Sequence, residues 1–127
     1  MRREVRVAAP ASVVWDLVGD PARIHEWYPG ITGCTVEGTS RVITTGMGIP
    51  MPEEILMHDD LQRRFQYRLV TPLVHEHLGT IDVCDLGDGT SLLIYATDAD
   101  PATMALVLGG AGGNAIDNAR RIIEGAL

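Results

Sequence analysis

The stretch "RREVRVAAPASVVWDLVGDPARIHEWYPG", residues 2–30, predicts two short helices directly after one strand. Charged and apolar residues alternate over residues 2–7, which predicts a strand. Pro10 then precedes apolar residues at the spacing of a short amphipathic helix. Asp20 begins a second short helix, "DPARIHEW", which Pro29 terminates.

After residue 30 the pattern changes to short strands separated by glycine-containing turns. The segments are "CTVEG", "RVITTG", "EEILMH", "RFQYRLV", "HEHLGTIDV" and "TSLLIYAT". Their spacing predicts an antiparallel meander. Asp100 caps a closing helix with Pro101 in its first position, and no later proline interrupts the chain up to Leu127. The predicted order is one strand, two short helices, six strands and a long helix, which is an α+β fold.

Length and composition limit the class of protein. A chain of 127 residues fits one domain, predicted to span residues 1–127. The hydrophobic fraction is 46%, and no apolar run approaches the roughly 20 residues of a membrane-spanning helix. The first residues lack the apolar core of a secretory signal. We therefore expect a soluble protein with no membrane span and a cytoplasmic location.

Charge and cysteine usage exclude several functions. The net charge is -7 and every basic side chain other than histidine is an arginine, with no basic run longer than a pair. Nucleic acid is therefore not an expected partner, because it requires a concentrated basic face. Without lysine, no side chain can form a Schiff base. Cys34 and Cys84 lack the C-x-x-C spacing, which favours reduced thiols over a disulfide.

Several motifs resemble one known family. The segments "APASVVWDL" and "DPARIHEWYP" resemble the opening of the polyketide cyclase/dehydrase branch of the START-like (SRPBCC) superfamily. The resemblance continues with Arg41, with Glu54 in "EEILMHDD", with Tyr67 in "FQYRLV", and with "GDGTSLLIYATDADP". It covers nearly the whole chain.

This resemblance implies a helix-grip fold, in which a curved antiparallel sheet of about seven strands wraps a long C-terminal helix. A ligand cavity lies between sheet and helix in such proteins, and members bind sterols, lipids, plant hormones or polyketides, which some of them cyclise or dehydrate. We therefore expect binding of an apolar or aromatic small molecule. The alternatives are a polyketide cyclase/dehydratase and a regulatory protein-interaction module that docks through its glycine-rich helix. No cofactor is expected, because "GGAGGN" lies inside a helix and not between a strand and a helix.

Candidate acid-base residues lie on two of the predicted strands. His75 and His77 are two residues apart, so a strand directs both side chains to the same face. That face also carries Ile81, which predicts that both histidines face the cavity. With Glu54 they could transfer protons in a cyclisation or dehydration. Metal binding would require a third ligand, such as Glu54 or His58, and the resemblance implies none. Plain pocket polarity, a surface position and an ion pair of Glu54 with Arg41 or Arg68 remain alternatives.

The remaining candidates are apolar, aromatic or small residues from the segments expected around the cavity. Trp27 could instead be a core residue that closes the end of the barrel, and Tyr67 and Tyr95 could instead complete the core. The four glycines 109, 110, 112 and 113 either leave room above the sheet or allow close backbone packing. The predicted ligand contacts are Trp27, Tyr28, Met47, Met51, Leu56, His58, Phe65, Tyr67, Leu69, Ile81, Tyr95, Met104, Leu108 and Gly112. The sequence leaves a homodimer open.

Overall fold

The chain follows the predicted order of elements in a computed structural model that describes residues 1–126. The strands are β1 (Arg2–Val7), β2 (Ile31–Glu37), β3 (Ser40–Thr45), β4 (Pro50–Asp59), β5 (Arg64–Leu69), β6 (Glu76–Asp85) and β7 (Ser91–Asp100). The helices are α1 (Ala11–Val18), α2 (Ile24–Trp27) and α3 (Ala102–Gly125). A single 3₁₀ turn, Pro21–Arg23, leads into α2.

All seven strands form one antiparallel sheet in the order β1-β7-β6-β5-β4-β3-β2. Because β1 and β2 lie at opposite edges, α1 and α2 carry the chain from one edge to the other. The sheet is curved, and α3 packs on β7 and β1. The predicted helix-grip fold is thus confirmed. We call the sheet face that packs against α3 the inner face.

Local sequence explains the short helices. The spacing of Val14, Leu17 and Val18 gives α1 one apolar side, and all three are buried. Asp20 precedes the 3₁₀ turn, and its carboxylate accepts a hydrogen bond from the Ala22 N–H at 2.9 Å. Helix α1 begins directly after Pro10, as predicted, whereas the predicted second helix starts as the 3₁₀ turn at Pro21 and becomes α-helical only at Ile24.

The start of α3 differs from the prediction by one residue. Strand β7 continues through Asp100, and Pro101 occupies the position before the first helical residue, Ala102. The predicted Asp100 cap is therefore wrong, because the extended ladder with β6 includes that residue. Among residues 1–126, no helix is long and apolar enough to cross a membrane.

Candidate functional site

An apolar cavity of about 190 Å³ lies between the inner face of β3–β5, the α2–β2 connection and the first half of α3. Ile43, Met51 and Leu69 contribute to its wall from the strands, and Leu108 contributes from α3. Pro29 and Gly30 also line it and are exposed, so the cavity opens beside the α2–β2 connection.

One lining residue, Glu53 on β4, carries a carboxyl group. Its partner is Arg41 on β3, which lies directly opposite in the strand register. The Nε–H of Arg41 donates to Glu53 Oε1 at 2.7 Å, and its Nη1 donates to the Pro21 carbonyl at 3.1 Å. The guanidinium also lies 5.0 Å from the ring centroid of Phe65 and 5.3 Å from that of Tyr67. A buried pair of Arg41 and Glu53 therefore lies at a mostly apolar cavity, and Glu53 is the member that lines it.

Burial and pairing act in opposite directions on the Glu53 carboxyl. Burial raises its pKa above the ordinary value, while the charge and hydrogen bond of Arg41 oppose that rise. Both contacts with Arg41 use Oε1 of Glu53. Among residues 1–126, no donor forms a hydrogen bond to Oε2 of Glu53, so this oxygen can accept one from another donor.

Two buried tyrosines meet beside the cavity, and only Tyr67 of the two lines it. The hydroxyl groups of Tyr67 and Tyr95 are hydrogen-bonded to each other, and burial raises the pKa of both phenols well above the ordinary value. The ring of Tyr67 lies over the backbone of Gly79 on β6, where an added Cβ would stand 2.5 Å from ring carbon atoms. The absence of a side chain at Gly79 therefore lets Tyr67 lie flat across the inner face.

The predicted carboxylate, Glu54, lies on the opposite face of the sheet. There it accepts a hydrogen bond from Arg68 Nε at 2.8 Å, in an exposed ion pair on β4 and β5. The ion-pair alternative is confirmed for Arg68, whereas the inward position belongs to Glu53. A bulge between Ile55 and Met57 shifts the alternation, so that Ile55 and His58 pair with the inner-face residues Tyr67 and Phe65. Strict period-two alternation from His58 would place Glu54 on the inner face, whereas the bulge places Glu53 there.

The two histidines do not share an environment. His77 is 9% exposed on the inner face of β6, and its Nδ1 accepts a hydrogen bond from the Leu69 N–H at 3.0 Å. Neutral His77 therefore carries its proton on Nε2, and burial lowers its pKa despite the opposing charge of Asp98. His75 precedes β6 and is exposed. The prediction that both imidazoles face the cavity is wrong for His75, because the period-two alternation begins only where the strand does. His77 lies on the inner face but is not among the residues that line the cavity.

The full length of the sequence carries the signature of one family. Residues 1–127 match the model of a family described as "Polyketide cyclase / dehydrase and lipid transport". The chain belongs to this family. No curated protein matches the chain.

Solved structures share the fold of this polyketide cyclase/dehydrase family member at low sequence identity. XoxI from Bacillus cereus superposes with a TM-score of 0.90 and 19% identity, over 97% of this chain and 94% of the other. Norcoclaurine synthase from Thalictrum flavum, in complex with dopamine and hydroxybenzaldehyde, gives 0.75 and 18%, over 97% and 84%. A START superfamily protein from Mycobacterium smegmatis gives 0.70 and 15%, over 99% and 94%. These likenesses establish the START-like fold of the family member.

Five of the predicted ligand contacts line the cavity of this family member. They are Tyr28, Met51, Tyr67, Leu69 and Leu108. Other lining residues were not predicted from the sequence, including Ile24, Ile43, Thr45 and Glu53. The alternation of Arg41, Ile43 and Thr45 along β3 could have predicted that Ile43 and Thr45 line the cavity, because strand residues two apart share a face.

The structure places the other predicted contacts elsewhere. Four are buried in the core beside the cavity: Trp27, Phe65, Ile81 and Tyr95. Trp27 is thus a core residue, as in the alternative interpretation, and Asn118 fixes its carbonyl oxygen by a 2.9 Å hydrogen bond. Met47 is 86% exposed in the β3–β4 loop, and Leu56 is exposed at the β4 bulge. Met104 is half-buried outside the cavity lining.

His58 and Gly112 also lie outside the cavity. His58 belongs to a polar groove near Trp15, where its Nε2 is 3.3 Å from Asp60 Oδ1. Gly112 packs on Tyr95, whose ring would lie 3.4 Å from an added Cβ. The glycine-rich part of α3 continues as a helix, so close packing rather than a break or an open space explains Gly112.

Proposed function

We propose that this protein binds a small apolar or aromatic molecule in the cavity that Glu53, Tyr67 and Leu108 help to line. The observation that carries the proposal is the apolar cavity itself, which opens at the surface and lies where the helix-grip fold leaves space between sheet and helix. The family description includes polyketide cyclisation and lipid transport, and both involve largely apolar molecules. The related norcoclaurine synthase structure contains two single-ring aromatic compounds.

The size of the cavity narrows the class of ligand. An apolar cavity of about 150 Å³ in a protein interior accommodates benzene. A volume of about 190 Å³ is therefore suited to a single substituted ring or a short alkyl chain. A sterol or a multi-ring polyketide would require α3 or the α2–β2 connection to move outward.

The cyclase/dehydratase alternative required His75, His77 and Glu54 to lie together at the cavity, and they do not. Glu54 lies on the outer face, His75 is exposed before β6, and His77 is hydrogen-bonded to the Leu69 backbone. The docking-module alternative meets a similar difficulty, because Cβ atoms at Gly109 and Gly113 would contact Met1 and Arg3. Ligand binding is therefore the function we propose. A cytoplasmic location and a homodimer stay predictions.

A substitution at the cavity wall tests the proposal. Leu108→Trp adds a ring to the side of α3 that lines the cavity, whereas Leu106→Trp places the same ring at an exposed position two residues earlier. The probes are toluene and p-cresol, titrated by calorimetry and by amide chemical shifts. We expect wild type and Leu106→Trp to bind a probe, and Leu108→Trp to bind it at least about tenfold more weakly, a loss of about 1.4 kcal/mol.

Thermal melts of both variants establish that they are folded. Shift changes that centre on Met51, Leu69 and Leu108 would support the proposed cavity. Absence of binding by wild type for both probes, or equal affinity of the two tryptophan variants, would contradict it.

A further inference from the structure

We propose that the cavity selects a neutral ligand with one hydroxyl group, an alcohol or a phenol, which donates a hydrogen bond to Oε2 of Glu53. This inference rests on the proposed function, because it requires a ligand in the cavity. It adds the polar group of the ligand and the residue that recognises it.

The charge distribution around the cavity favours a neutral ligand. Among the described residues that line it, only Glu53 belongs to the Asp, Glu, Arg and Lys types. The whole chain is 21% charged, so the charged residues are concentrated elsewhere. Glu53 is itself balanced by the guanidinium of Arg41. A charged ligand would lose its hydration without gaining an uncompensated partner of opposite charge.

The bonding of Glu53 favours a ligand that donates a hydrogen bond. An ionised carboxylate only accepts hydrogen bonds, and it offers about four lone-pair sites. The hydrogen bond from Arg41 Nε ends on Oε1, and Glu53 lines the cavity, so Oε2 can accept a hydrogen bond from a donor in the cavity. A hydroxyl group on the ligand would satisfy this oxygen, whereas a methyl ether or a hydrocarbon would leave it without a donor.

Tyr28 supplies a second polar group at the same cavity. Burial and the charge of Glu53 raise its pKa to about 12, so its hydroxyl remains protonated at neutral pH. That hydroxyl can donate to the oxygen of the ligand while the ligand donates to Glu53. Tyr67 is less available for this role, because its hydroxyl is bonded to that of Tyr95.

Matched ligands test the inference directly. The probes are p-cresol, 4-methylanisole, toluene and the 4-methylbenzoate anion, which share a methyl-substituted ring and differ in one substituent. We expect p-cresol to bind at least about tenfold more tightly than toluene and 4-methylanisole, since hydrogen bonds to charged groups are strong, and 4-methylbenzoate to bind most weakly.

Two double variants assign the selectivity to a residue. Arg41→Met with Glu53→Leu removes the inner pair without leaving a buried charge, and we expect the preference for p-cresol over toluene to fall to about one. Arg68→Met with Glu54→Leu removes the neighbouring pair on the outer face, and the preference should remain at the wild-type value. If the inner double variant fails to fold, Glu53→Gln replaces it and should reduce the preference, because a neutral amide oxygen is a weaker acceptor.

The outcomes separate the two proposals. Equal binding of p-cresol and 4-methylanisole, or a preference for 4-methylbenzoate, would overturn the hydroxyl selection while leaving ligand binding intact. An unchanged preference in the inner variant would remove the role of Glu53. Failure of every probe to bind would overturn the proposed function itself.

Discussion

Glu53 and Glu54 are adjacent on β4, and each pairs with an arginine on a neighbouring strand, yet the two ion pairs lie in different environments. The side chains of Glu53 and Arg41 are both 2% exposed. Those of Glu54 and Arg68 are 43% and 55% exposed. The hydrogen-bond distances are nearly the same, at 2.7 Å for the inner pair and 2.8 Å for the outer pair.

Exposure to solvent, and not the distance between the charged atoms, therefore determines how much such a pair contributes to the free energy of unfolding. Water screens the outer pair, and exposed pairs of this kind contribute about 0 to 1 kcal/mol. Removal of one partner from a buried pair leaves an uncompensated charge without water. The strand alternation places one glutamate in each environment, so the exposed pair of Glu54 and Arg68 serves as a control for the buried pair.

The largest expected effect comes from breaking each pair in turn. Glu53→Ala should reduce the free energy of unfolding by about 3 to 5 kcal/mol, because Arg41 remains buried without its carboxylate. Glu54→Ala should reduce it by less than about 1 kcal/mol. Urea denaturation of the two variants and the wild type measures both changes. Losses of similar size would show that Glu53 and Arg41 are hydrated in solution, which contradicts the comparison.

An intermediate effect on stability is expected from substitutions at one outward-facing and one inward-facing glycine of α3. Gly110 has no atom near its missing Cβ, so Gly110→Ala should stabilise the helix by up to about 1 kcal/mol. Gly112 faces the ring of Tyr95, so Gly112→Leu should destabilise the fold by about 1 to 3 kcal/mol through overpacking. Thermal melts measure the two shifts. A stabilising Gly112→Leu would reveal space above Tyr95 that the packing does not show.

The smallest expected effect concerns the two histidines and is read from pH dependence. Burial lowers the pKa of His77, so the unfolded chain takes up a proton at a higher pH than the folded chain does. The stability due to neutral His77 is therefore complete above the ordinary pKa of about 6.5 and is lost as the pH falls toward the folded-state value. Protonation of Nδ1 would also break the bond from the Leu69 N–H.

His77→Gln should therefore lose less stability than wild type between about pH 7.5 and 5.5, whereas His75→Gln should follow the wild-type profile. The difference between each variant and wild type is the informative quantity, because it cancels the contribution of Glu53, whose raised pKa gives a slope of opposite sign. Urea midpoints at three pH values provide the measurement. Identical profiles for the two variants would mean that His77 is as hydrated as His75.

Local sequence was sufficient for the elements of the fold. The alternation over residues 2–7, the prolines at Pro10 and Pro21 and the glycine-separated strand segments each depend on neighbours in the chain, and all predicted strands and helices are present. Such patterns predict the elements because a strand or helix exposes one side and buries the other, and this requirement does not depend on the ligand. The motifs "APASVVWDL" and "DPARIHEWYP" likewise pointed to the family, whose model matches the chain over its whole length.

Tertiary structure alone decided which side chains meet at the cavity. The bulge at Ile55–Met57 changes the phase of β4, and this change turns Glu53 rather than Glu54 inward. The first paired residue of β6 is Glu76, so His75 falls outside the alternation that orients His77. The contact of Gly112 with Tyr95 depends on how closely α3 approaches β7. Bulges, strand ends and interlayer distances result from packing between distant segments, and a pattern of neighbouring residues contains too little information to specify them.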